Sequence, residues 1–158
     1  MSASVAYAVC NEHADARPLA AIRARTSQAR LGSEIVRLLD LVWPVLRDQD
    51  EAQPGQNVVV YYESTGGMLT IDVGVEVLGR LVPRGDVRLT ATPAGEVATA
   101  AHVGEYSDMA GAYRALEQWC SANDRRPSGV SWEVYGDWAD DPAELRTDVF
   151  FLLEPPAR

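Results

Sequence analysis

Residues 69–78 alternate strictly: Ile71, Val73, Val75 and Val77 share one face, and Thr70, Asp72, Gly74 and Glu76 share the other. A period of two over ten residues commits the segment to a strand with one buried face, and a one-residue slip would turn that face out. The chain around it follows a fixed order. Residues 19–25 alternate as a strand. Residues 29–47 carry Leu31, Ile35, Leu38, Leu39, Val42 and Leu46 at i, i+3/i+4 spacing, the stripe of an amphipathic helix. Residues 58–62 are β-rich, and 64–67 read as a turn before the alternating strand.

The second half repeats this order. Residues 96–103 read as a strand, and a helix runs from about Ser107 to Ala122 with Tyr113, Leu116 and Cys120 on one face. Strands follow at 130–138 and 147–153. The expected fold is therefore α+β: a duplicated β-α-β-β, an antiparallel sheet with two helices packed on one face and a groove between the halves. It is one domain of two pseudo-repeats, about 1–80 and 86–158. Ile71-Asp72-Val73 matches Thr147-Asp148-Val149, and sliding the halves together by eye sets Tyr61 opposite Glu133 and Glu63 opposite Tyr135.

Local signals add detail. Residues 5–9 read as a further short strand, continuous with 19–25 around Arg17-Pro18. Thr26 or Ser27 is placed to cap the first helix, and Ser107 the second. Pro44 predicts a kink or an early stop. Residues 48–56 form a polar loop, 127–129 a turn, and 140–144 an acidic loop.

Composition narrows the function. No apolar run approaches the ~20 residues of a membrane helix. The Met1-Ser2-Ala3-Ser4-Val5 start has no basic n-region or apolar h-region, so a cytoplasmic protein is expected. The net charge is −9, which argues against direct nucleic-acid binding and suits cationic small molecules. All 14 basic residues are arginines, a compositional bias rather than a function. Cys10 and Cys120 belong to no C-x-x-C pair and read as two reduced, buried thiols. His13 and His102 have no zinc spacing, so no metal and no cofactor is expected. His102 has no recognisable nucleophile beside it and reads as structural. Gly66-Gly67 and Gly74 carry no phosphate-binding fingerprint.

The strand Ser131-Trp132-Glu133-Val134-Tyr135 holds the chemistry. Period two sets Trp132 and Val134 on one face, Glu133 and Tyr135 on the other. With Trp132 and Val134 against the helices, Glu133 and Tyr135 face the groove; the plain alternative is a Glu133 pointing into water. A partly desolvated carboxylate attracts a cation strongly, and aromatic faces add cation–π attraction. The same group, with a raised pKa, could exchange protons with a substrate. Tyr106, at the corner after Gly104, and Tyr61 are candidate walls. Trp43 and Trp119 sit beside the helical stripes, as core or as groove lining.

These residues, in order, resemble a known family. The runs Gly95-Glu96-Val97-Ala98-Thr99-Ala100-Ala101-His102-Val103-Gly104-Glu105-Tyr106, Ala112-Tyr113-Arg114-Ala115-Leu116-Glu117-Gln118-Trp119, Gly129-Val130-Ser131-Trp132-Glu133-Val134-Tyr135 and Leu145-Arg146-Thr147-Asp148-Val149 resemble the GyrI-like small-molecule-binding family, also seen as the effector-binding domain of AraC-type and MerR-type regulators. Val42-Trp43, Tyr61-Tyr62 and Asp72-Val73-Gly74-Val75 extend the resemblance over nearly the whole chain. It implies a groove that takes hydrophobic, often cationic compounds through aromatics and one acid. By position the acid is Glu133, with Tyr106, Tyr135, Tyr61 and Trp43 around it. Some members resemble hydrolases that open cyclopropane-bearing toxins with the same acid. Regulators of the family carry an N-terminal helix-turn-helix; none precedes Val5, so a stand-alone member is expected. Three functions follow: a binding protein for lipophilic, cationic or electrophilic compounds; a detoxifying hydrolase with Glu133 catalytic; or, last, an acidic protein-interaction module.

Overall fold

The computed structural model describes residues 6–156. Its strands are β1 (Cys10–Ala14), β2 (Pro18–Ser27), β3 (Ala52–Thr65), β4 (Met68–Gly79), β5 (Arg88–Ala91), β6 (Gly95–Val103), β7 (Pro127–Tyr135) and β8 (Arg146–Leu153). Helix α1 (Leu31–Arg47) lies between β2 and β3, and α2 (Ala110–Ala122) between β6 and β7. All strand pairs are antiparallel, in the order β1-β6-β8-β7-β3-β4-β2-β5.

That order reads as a duplication. Each half contributes a three-stranded block, β2-β4-β3 or β6-β8-β7, and the blocks meet at β3 and β7. The short strand ahead of each block crosses to the far edge of the other: β1 pairs with β6, and β5 with β2. Expecting β1 and β2 to be one bent strand is therefore wrong, since they sit six strand positions apart. Six spacings of a flat sheet span ~29 Å. The step from Ala14 to Pro18 reaches at most ~15 Å. The step from Ala91 to Gly95 has the same length and must bridge the same number of strands. The sheet has to coil until its ends approach, and its helix-free face then buries itself. Leu19, Ala21, Val58, Val60, Val97, Trp132 and Val134 form that buried cluster.

The other face carries both helices. Leu38, Val42 and Leu46 of α1 pack with Ile71, Val73, Val75 and Val77, as the alternation requires. Ala112, Leu116 and Cys120 of α2 pack with Ala98, Ala100, Val149 and Phe151. Helix α1 lies over β2, β3 and β4, and α2 over β6 and β8, leaving β7 between them. Trp132 and Val134 thus point away from the helices, the reverse of the expectation. Glu133 and Tyr135 therefore lie on the helical face of the sheet, over β7, between the two helices.

Several local expectations shift. Residues 6–9 are not a strand, Val5 and the Met1–Val5 start lie outside the described residues, and the strand begins at Cys10. Cys10 is exposed on that edge, not buried, while Cys120 is buried; both are free thiols. Helix α1 runs through Pro44, which lies a single turn from the helix end and removes one backbone hydrogen bond there. Ser27 stands at the N-cap of a short 3-10 turn before α1 without a capping bond, and Met109, not Ser107, precedes α2. The segment 52–56 belongs to β3 with a bulge between Pro54 and Asn57, so the polar loop is shorter. Residues 127–129 likewise open β7, across a register shift. β5 had no signal in the sequence. Gly66 and Gly67, at φ of 61° and 75°, make the two-residue β3–β4 hairpin that only left-handed residues allow.

Candidate functional site

The ladder registers generate one row of cross-strand neighbours on the helical face: Ile22, Val73, Val59, Glu133, Val149 and Ala100. All six are buried, and Glu133 is the one polar member, 4% exposed. A carboxylate at the centre of an apolar row costs several kcal/mol unless it is neutralised or hydrogen-bonded.

Three phenols supply those bonds. Tyr61 donates to Glu133 Oε1 at 3.1 Å. Tyr135, two residues along the same strand, donates to the same oxygen. Tyr113 of α2 donates to Oε2 from above. Burial pushes all three phenols well above the ordinary tyrosine range, and the neighbouring Glu133 adds to the shift. They therefore remain protonated donors at any physiological pH. No ion pair among the described residues involves Glu133. Among the described residues only neutral phenols donate to its side chain. Oε1 accepts two bonds and Oε2 one, so Oε2 retains an acceptor position.

The rings of Tyr61, Tyr113 and Tyr135 are half-buried, so the acid is approached past aromatic surface. Tyr106 stands edge-on to Tyr135 at 5.6 Å between ring centres and is exposed. Trp43 packs against the α1-side cluster that Tyr61 and Tyr135 also touch, and its indole N–H donates to Asn57 Oδ1 at 2.9 Å. The structure thus brings together Glu133, Tyr61, Tyr135 and Tyr106, with Trp43 off to the α1 side and no bond to the acid. Tyr113 was missed as a site residue. Its spacing with Leu116 and Cys120 shows that it faces the sheet, but not which strand residue lies beneath it.

The halves superpose differently from the alignment by eye. Tyr61 pairs with Ile71, and Tyr135 with Thr147. Since Ile71-Asp72-Val73 corresponds to Thr147-Asp148-Val149, Tyr61 corresponds to Tyr135, and Glu133 corresponds to Val59. The alignment by eye thus places β7 two residues out of step with β3, which leaves faces unchanged but moves the acid's counterpart.

His102 is buried, with Nδ1 bonded to the Tyr7 phenol at 2.9 Å and Nε2 to the Glu105 carbonyl at 2.7 Å. A carbonyl only accepts, so Nε2 carries a proton, and in the neutral imidazole Tyr7 donates to Nδ1. Among the described residues no group of three or more His, Cys, Asp or Glu side chains converges to hold a metal ion. No helix among them is long and apolar enough to cross a membrane.

Comparison with solved structures returns the same fold. EcmrR in complex with DNA has a TM-score of 0.79 at 19% identity, covering 94% of this chain and 57% of that one. The chain thus spans little more than half the length of that protein. The EcmrR C-terminal domain alone has a TM-score of 0.75 at 18% identity, covering 95% and 99%. SAV2435 bound to tetraphenylphosphonium has 0.68 at 9%, covering 95% and 94%. A hydrolase from Listeria innocua has 0.61 at 9%, covering 92% and 91%. Sequence comparison with curated proteins yields no match. The profile of the GyrI-like small molecule binding domain matches residues 11–154, so the chain belongs to that family.

Proposed function

We propose that the groove over β7 binds a lipophilic cation, with Glu133 as its charge partner. The observation that carries this is a buried carboxylate held by three phenols and, among the described residues, by no basic group. Such a site offers a negative charge in a poorly solvated place and requires no hydrogen bond from its ligand. A cation whose charge is spread beneath apolar groups matches it, because it loses little hydration on entry. Tyr61, Tyr106, Tyr113 and Tyr135 supply ring faces and edges. Half-buried Leu31, Ile35, Leu39 and Trp43 supply apolar surface on the α1 side. The net charge of −9 favours such ligands over nucleic acid. That SAV2435 is bound to tetraphenylphosphonium supports the class of ligand.

The test is calorimetric titration of tetraphenylphosphonium into wild type and Glu133→Gln. The amide keeps the shape and removes the charge, so affinity falls by on the order of 30-fold or more. Equal affinity of the two proteins removes Glu133 from the reading.

A second reading is hydrolysis of a strained cyclopropane compound, favoured by the free acceptor position on Oε2. A water held there gives a proton to Glu133 as its oxygen bonds to one ring carbon. The carboxyl returns the proton to the carbon released when the ring bond breaks. A fold neighbour is a hydrolase from Listeria innocua. Turnover that disappears in Glu133→Gln supports this; saturable binding of such a compound without consumption excludes it.

A further inference from the structure

Trp138 is the most exposed large hydrophobic side chain among the described residues, at 75%. It lies three residues beyond Tyr135, where the chain leaves β7 toward β8. Both ends of this connection are fastened by backbone hydrogen bonds. The Gly136 N–H donates to the Arg146 carbonyl, closing the strand pair, and the Gly104 N–H donates to the Leu145 carbonyl. The second bond ties the loop to the corner from which Tyr106 projects. Tyr106 and Tyr135 meet edge to face, and Trp138 stands on the same connection three residues after Tyr135; Tyr106 and Trp138 are exposed.

The loop between the fastenings is acidic. Asp137, Asp140, Asp141 and Glu144 are all exposed, and residues 136–145 contain no basic side chain. An arch carrying one indole and four carboxylates, rooted at a carboxylate site, has the chemistry of a cation's outer wall. Trp gives the strongest cation–π attraction of the aromatic residues. Three residues span up to ~11 Å, enough to bring the indole onto a ligand that rests against Tyr135.

The geometry points to Trp138 as a specificity-determining residue of this site: its ring closes on the outward side of the lipophilic cation held at Glu133. This rests on the proposed binding function. It predicts that the indole, open to solvent in the free protein, is covered in the complex. The other three tryptophans are half-buried or buried, so Trp138 supplies the readily quenched fluorescence.

The experiment uses tetraphenylphosphonium with wild type, Trp138→Ala, Trp138→Phe and Glu133→Gln. Affinity by calorimetry should fall about tenfold in Trp138→Ala and less in Trp138→Phe, as expected for loss of one cation–π face. Acrylamide quenching of tryptophan fluorescence should drop when ligand saturates wild type, and that ligand-dependent drop should be missing in Trp138→Phe. Wild-type affinity in Trp138→Ala, with unchanged quenching in the complex, overturns the assignment while leaving the site itself intact if Glu133→Gln is weakened. Failure of wild type to bind the cation at all overturns the binding function and this assignment with it.

Discussion

The two halves of the sheet share one backbone plan and differ where they meet. Glu133 of β7 stands opposite Val59 of β3 in the same ladder pair, and each is the other's counterpart in the duplication. Tyr135 and Tyr61 correspond as well, and both donate to Glu133. In the helices, Leu38, Val42 and Leu46 fill the buried stripe of α1 as Ala112, Leu116 and Cys120 fill that of α2, at equal spacing. On that match the counterpart of Tyr113 is Leu39. One half thus brings an acid and a donor to the junction, and the other brings Val59 and Leu39. A symmetric pair of tyrosines is shared. The difference teaches that the junction is amphiphilic by construction: an acid with its donor on the α2 side and apolar residues on the α1 side, the pairing that the proposed lipophilic cation would meet.

Restoring symmetry should break the fold before it changes specificity. Val59→Glu places a second buried carboxylate directly across the strand pair from Glu133. Two such groups cannot both ionise, and the added one has no phenol of its own. Urea denaturation should show a loss of ~3–5 kcal/mol at neutral pH, shrinking as the pH is lowered and one carboxyl takes up a proton. A loss independent of pH would mean that size, not charge, is what the Val59 position excludes. The opposite change, Glu133→Val, makes both halves apolar. It leaves three phenols without an acceptor but removes the buried charge, so stability should change by less than in Val59→Glu, while binding of tetraphenylphosphonium is lost.

Much of this comparison was legible in the sequence. Strict alternation in residues 69–78 fixed which β4 side chains share the apolar face under α1, though Asp72 and Gly74 on the other face are buried as well, and helical stripes fixed which sides of α1 and α2 face inward, because both periodicities are local. The pairing of Glu133 with Tyr135 followed from the same alternation. What alternation cannot give is which layer a face meets. Trp132 and Val134 look like residues for a helix, yet they bury against the coiled sheet itself, and that coil arises from two short connections between distant strands. Tyr113 was invisible as a site residue for a related reason: its partner is fixed by how α2 rests on the sheet. β5 went unread because four residues bordered by turns carry too little pattern.

The three phenols sharpen the comparison further. Among the described residues Tyr113 is the sole donor to Oε2, whereas Tyr61 and Tyr135 share Oε1. Hydrogen bonds to charged groups contribute ~1.5–3 kcal/mol each, and less where another donor remains. Tyr113→Phe should therefore destabilise more than Tyr61→Phe or Tyr135→Phe in chemical denaturation. Three equal losses would show that the carboxylate redistributes its bonds freely.

The smallest effect is read at alkaline pH. The folded chain holds Tyr61, Tyr113 and Tyr135 above the ordinary phenol range, by burial first and by the Glu133 charge second. In the unfolded chain these groups lose their protons near pH ~10. Above that, the unfolded state binds fewer protons than the folded one, so stability must fall as pH rises. Below it, the three phenols are protonated in both states and contribute no slope. Phenolate absorbance should therefore show these tyrosines ionising only together with loss of the folded signal, rather than in a separate earlier step. Tyr113→Phe should flatten the alkaline decline by about one proton's worth of slope. Leu39→Phe, at the corresponding place in the apolar half, should leave that slope unchanged, since nothing there titrates. An equal change of slope in both variants would mean that the alkaline transition reports general loosening of the helices rather than the phenols around Glu133.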